Sequence, residues 1–154
     1  MTNQKNEAER LRFGIRGGWL PVGEAVAWAD AEISKSLEPA AALIEVASAS
    51  KRSPQDVANL LEAVPGASDR IEVMRRCLGD LLDAIERQPA LSRDAARWLE
   101  ASAIEGELPG VDFGYEPTAL ADAFALAEAG TYGTVREARE RLLAFLREHG
   151  KREA

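Results

Sequence analysis

Apolar positions along this chain recur every three or four residues and almost nowhere every second one. That is the period of a helix with one buried face. Val22, Val26, Ala29, Ile33 and Leu37 fall on one such stripe. Pro39 opens a second helix, with Leu43, Ile44, Val46 and Ala47 turned inward. Ser53-Pro54-Gln55-Asp56 has the form of a helix start: a capping hydroxyl, proline at the first helical position, an acid in the first turn. The helix that follows buries Val57, Leu60, Leu61 and Val64 and stops at Pro65-Gly66.

Ser68 is the expected start of the longest helix, which runs to about Arg87 with Ile71, Met74, Leu78, Leu81, Leu82 and Ile85 inward. Ser92 is the expected cap of the next, with Ala96, Leu99, Ala103 and Ile104 inward. The longest break then runs from Gly106 to Pro117. A further helix holds Leu120, Ala123, Phe124 and Ala127, and the last begins at Thr134 and buries Val135, Ala138, Leu142, Phe145 and Leu146. Residues 9–19 can form a short helix that ends at Gly17-Gly18. The pattern predicts an all-α fold, a single-domain bundle of six to seven short antiparallel-packed helices over residues 1–154, with the polar residues 1–8 disordered.

Composition narrows the class. With 154 residues, 46% of them apolar and 29% charged, the chain can bury a core and remain water-compatible. One cysteine, Cys77, excludes an intramolecular disulfide and a cysteine zinc cage. Its place between Met74 and Leu81 marks it as a small buried residue. No secretory leader and no apolar run of membrane-spanning length is visible, so a cytoplasmic protein is expected. Alanine and arginine are favoured over lysine, as in GC-rich bacterial genomes.

Charge changes the picture. The net charge is −7, from 26 acids and 19 bases. Between Trp98 and Val135 stand seven carboxylates (Glu100, Glu105, Glu107, Asp112, Glu116, Asp122, Glu128) and no Lys, Arg or His. The rest of the chain is balanced, at 19 acids against 19 bases. A field concentrated in this way can steer a basic partner. The same segment holds the longest loop, which carries Phe113 and Tyr115. Aromatics beside charges have the composition of an interface. The candidate partner-binding residues are therefore Glu105, Glu107, Asp112, Phe113, Tyr115 and Glu116. The competing reading is an ordinary solvated face.

No catalytic or cofactor motif stands beside this. Gly-x-Ser-x-Gly, the phosphate loop, Gly-x-Gly-x-x-Gly and His-Glu-x-x-His are all missing. The one histidine, His149, falls in the last turn of the last helix, where a cation complements the helix dipole. Asp80 with Asp83, or Glu105 with Glu107, lack further ligands for a metal. Residues 53–87 loosely resemble a helix-turn-helix, but seven acids against four bases there would repel phosphate. Neither nucleic acid nor a membrane is an expected partner, no cofactor is expected, and the chain is read as a non-enzyme.

Two stretches carry a resemblance. One is Gly18-Trp19-Leu20-Pro21-Val22-Gly23-Glu24-Ala25-Val26-Ala27-Trp28-Ala29-Asp30-Ala31-Glu32-Ile33, followed by Leu43-Ile44-Glu45-Val46-Ala47. The other is Leu126-Ala127-Glu128-Ala129-Gly130-Thr131-Tyr132-Gly133, leading to Leu143-Ala144-Phe145-Leu146-Arg147-Glu148. Together they resemble small helical immunity-type proteins of bacterial toxin systems. The resemblance implies a cytoplasmic immunity protein that binds and neutralises a cognate toxin domain, and the acidic charge suits a basic, nuclease-like one. Its motifs are structural, so it transfers no binding residue. The alternatives are a helical adaptor or regulatory protein-binding module and, further off, a small ligand-binding bundle or enzyme.

Overall fold

Asn3 begins the first helix. Its side-chain oxygen accepts from the backbone N–H groups of Lys5 at 2.8 Å and Asn6 at 3.3 Å, which satisfies two of the donors a new helix leaves open. A computed structural model describes residues 3–107 and 113–151 of the chain. Among them lie eight α-helices and no strand. They are α1 (Gln4–Gly17), α2 (Val22–Ser34), α3 (Ala41–Ala47), α4 (Pro54–Glu62), α5 (Arg70–Arg87), α6 (Ser92–Ile104), α7 (Glu116–Glu128) and α8 (Val135–His149). A 3-10 turn, Pro89–Leu91, precedes α6. The all-α expectation holds, with one helix more than the six to seven expected.

The additional helix is α1 in its full length. Residues 4–8, expected to be disordered, are its opening turns. They are tied down by bonds to sequence-distant groups. Lys5 Nζ donates to the Glu62 carbonyl at 2.7 Å, Asn6 Oδ1 accepts from the Asp69 N–H at 2.7 Å, and Ala8 is fully buried. At the other end Gly18 takes φ +84°, and the N–H groups of Trp19 and Leu20 both donate to the Gly14 carbonyl. The chain folds back so closely that a Cβ on Gly14 would lie 2.2 Å from Leu20 Cδ1. One on Gly17 would lie 1.8 Å from Trp19 Cζ3. A side chain at 14 or 17 would have to displace Leu20 or Trp19.

The chain divides into two compact units, residues 1–73 and 74–154. In the first, α1 packs mainly on α4, and α2 on α3. The core holds Leu11, Ile15, Ala25, Ala29, Leu43, Val46, Val57 and Leu61, with Trp28 and Leu60 packed at its edge. In the second unit α7 packs against both α6 and α8. Leu78, Leu81, Ile85, Leu99, Leu120, Phe124, Leu142 and Leu146 are fully buried there. Cys77 is buried.

Several expected faces differ. Leu37, placed on the α2 stripe, lies beyond the helix end at Ser34 and is fully exposed. Ile44, Ile71, Ile104 and Val135, expected inward, are exposed. Ala103 is exposed as well. Ile44 lies mid-way along α3, off the face set by Leu43 and Val46; the others stand at the end of their stripe or in the terminal turns of their helix, where the 100° advance per residue has carried them off the packed face. Ser68 does not open α5; instead the Asp69 carboxylate accepts from the Glu72 N–H at 3.2 Å. Ser92 does not cap α6, because its hydroxyl donates to the Pro89 carbonyl at 2.6 Å and receives Arg139 Nε at 3.1 Å. Ser53 and Thr134 cap as expected, accepting from the N–H groups of Asp56 and Glu137. No described helix is long and apolar enough to cross a membrane.

Candidate functional site

The six sequence-derived residues belong to the stretch that links α6 to α7, and the five that are described do not share one environment. Glu105 ends α6 and is exposed; Glu107 follows it, half-buried. Asp112 lies outside the described residues. Tyr115, immediately before α7, is 71% exposed. Phe113 and Glu116 turn instead toward α8.

Glu116 meets Arg141 in a two-pronged pair, Nε to Oε1 at 3.1 Å and Nη2 to Oε2 at 3.1 Å. Matched forks of this kind are the stronger form of surface ion pair. Glu128, at the far end of α7, meets Arg93 Nη1 at 3.4 and 3.5 Å. Among the described residues, Glu116 and Glu128 of the base-free segment are thus paired with arginines from outside it. The local field is weaker than the linear count implies.

Phe113 packs edge-on against Phe145, with ring centroids 5.1 Å apart, and against His149, 4.8 Å apart. Phe145 and His149 are themselves 4.6 Å apart. Such ring arrangements add modestly to simple burial. His149, expected only as a helix-end cation, is thus part of an aromatic cluster that seats the end of the long loop. Sequence reasoning passed over the signal: Arg141, Phe145 and His149 recur every four residues on one face of α8.

A cleft of about 460 Å³ opens beside this cluster, lined by Phe113, Glu116, Arg141, Phe145, Glu148 and His149, with Ala144. A second cleft of about 310 Å³ shares Phe113, Glu148 and His149 with the first and adds Met74, Arg75, Gly150 and Lys151. Its wall is set by backbone bonds: the Gly150 N–H donates to Leu146 and the Lys151 N–H to Arg75, both at 2.8 Å. Gly150 approaches α5 so closely that an added Cβ would lie 2.8 Å from the Gly79 nitrogen.

Ile104 is the residue the sequence reading misplaced to most effect. Expected in the core, it is 74% exposed at the last position of α6. It stands next to Glu105, at the opposite end of the connection from Tyr115. Among the described residues no group of three or more His, Cys, Asp or Glu is arranged to hold a metal. Comparison with family models, curated proteins and solved structures finds no match. The likeness to immunity-type proteins rests on the two stretches quoted above.

Proposed function

We propose that this chain is a cytoplasmic immunity-type protein. It binds a basic, nuclease-like toxin domain through the α6–α7 connection and neutralises it by occlusion, without a cofactor and without catalysis. The observation that carries this reading is the pairing of large exposed apolar side chains with carboxylates. Ile104 and Tyr115 are 74% and 71% exposed at the two ends of one connection, with Glu105 exposed beside them. Apolar anchors rimmed by charge of one sign supply both desolvation energy and steering toward a partner of the opposite sign. A toxin that handles nucleic acid carries the matching positive surface.

The test is co-expression with the product of the adjacent gene. A stable complex, together with protection of the host from that product, is the expected result. Neither complex nor protection would overturn the reading. A complex without protection would assign the chain to the adaptor class instead.

A further inference from the structure

We propose that the cleft beside Phe113 receives the guanidinium of an arginine presented by a protein partner. This deepens the reading of the chain as a binder of a basic protein and rests on it.

The lining has the chemistry of a cation site. Phe113, Phe145 and His149 supply ring surface along one side, held in mutual contact at 4.6–5.1 Å. Ring faces attract cations, and a planar guanidinium stacks on them better than a compact ammonium does. Two carboxylates flank the rings, Glu116 and Glu148. Glu116 is already matched by Arg141, which fills one end of the cleft. Glu148 is not matched in the same way. Its side chain is 76% exposed, and its carboxylate stands 3.9 Å from His149 Nε2, a partner that is charged only when protonated. An arriving guanidinium would lie along the Phe113 ring and direct its fork to Glu148.

Size and neighbouring charge point the same way. A volume of about 460 Å³ exceeds what one side chain needs, so it is open to a residue carried on a larger body. With Arg141 balanced by Glu116, Glu148 leaves this cleft with a net negative charge. The adjoining cleft shares Phe113, Glu148 and His149 and adds Arg75 and Lys151, so a cation is favoured on the Glu116 side, away from those two bases.

The chain has one histidine, and it lines the cleft, so its imidazole resonance reports occupancy directly. The experiment titrates the protein with N-acetyl-arginine amide at pH 8 and low ionic strength. A saturating shift of the His149 signal is expected, with a dissociation constant on the order of 1–10 mM, as for a single cation on a ring and carboxylate. The neutral citrulline analogue should give no saturating shift. Glu148→Gln, a change at an exposed position, should weaken binding several-fold while circular dichroism stays unchanged. No saturation with arginine, or equal binding by Glu148→Gln, would overturn the proposal. So would a response to inorganic phosphate in place of arginine, which would assign the clefts to an anion. The isolated arginine assay needs no toxin. Its failure alongside a stable toxin complex would remove this cleft from the interface and leave the proposed function standing.

Discussion

Gly150 and Gly23 are both glycines at ordinary backbone angles, and alanine should act on them with opposite sign. At Gly150 an added Cβ would meet the Leu146 oxygen at 2.6 Å and the Gly79 nitrogen at 2.8 Å. Both are backbone atoms that cannot swing aside. Gly150→Ala should lower stability by about 1–3 kcal/mol, the usual cost of overpacking. Gly23 lies in the first turn of α2 with nothing within 4 Å of a Cβ. Gly23→Ala should raise stability by roughly 0.4–1 kcal/mol by restricting the unfolded chain. Urea midpoints of the two variants, at unchanged slope, check both. Leu78 and Phe124 are almost fully buried, so Leu78→Ala or Phe124→Ala should cost about 2–5 kcal/mol. Cys77 is 2% exposed, and thiol reagents should label it only as fast as the protein opens.

At the scale of elements, Glu32 shows how two helices are coupled. Lys35 donates to Glu32 Oε1 at 3.0 Å, and Gln4 Nε2 donates to Oε2 at 3.2 Å, which joins α2 to α1. The hydrogen bond from Lys35 leads in holding the Glu32 carboxyl below its ordinary value, aided by Gln4 and opposed by partial burial. A depressed folded-state pKa stabilises the protein above the unfolded value and loses that contribution as pH falls through the folded one. Wild type should therefore exceed Glu32→Gln in stability at neutral pH, and the gap should close as pH drops below the ordinary carboxylate range. Parallel thermal melts from pH 7 to pH 3 measure it. A gap that grows on acidification would contradict the assignment. Elements also show where capping signals mislead. Ser68, Asp69 and Ser92 all carry capping side chains, but the path of the chain into each helix decided which one met an open N–H.

Across the whole molecule, charge adjacent in sequence is redistributed in space. Arg141 and Arg93 reach Glu116 and Glu128 from outside the acidic segment. Glu105 and Glu107, at the α6 end of the connection, are the acids to test for steering. For a verified basic partner, neutralising both to glutamine should slow association several-fold and flatten its salt dependence, with little effect on folding. Tyr115→Ala should instead speed dissociation, since removing an anchor acts on the bound state. Stopped-flow association at two ionic strengths separates these effects. Unchanged kinetics in both variants would leave the acidity as a property of solubility. Glu116→Gln belongs to a different class, because it also breaks the fork to Arg141 and should cost up to about 1 kcal/mol of stability.

Helical class, the seven later helices and most of their buried residues were legible in the chain, because a helix satisfies its own backbone and exposes its period in the spacing of apolar side chains. Leu78, Leu99, Phe124 and Leu142 sit mid-stripe, where that period leaves one choice of face. Stripe ends such as Leu37 and Ile104 were undecided locally, since their burial depends on whether a neighbouring element reaches them. The helical state of residues 4–8 was hidden for the same reason: Glu62 and Asp69, far along the chain, supply its anchors. Of the candidate site, the sequence marked the acidic connection and its aromatics. Only tertiary structure decided that Phe113 would turn inward to Phe145 and His149 while Tyr115 stayed exposed, and that an arginine from α8 would take Glu116. Side chains brought together across separate helices leave no periodic trace in a linear chain, so contacts of this kind are settled by packing alone.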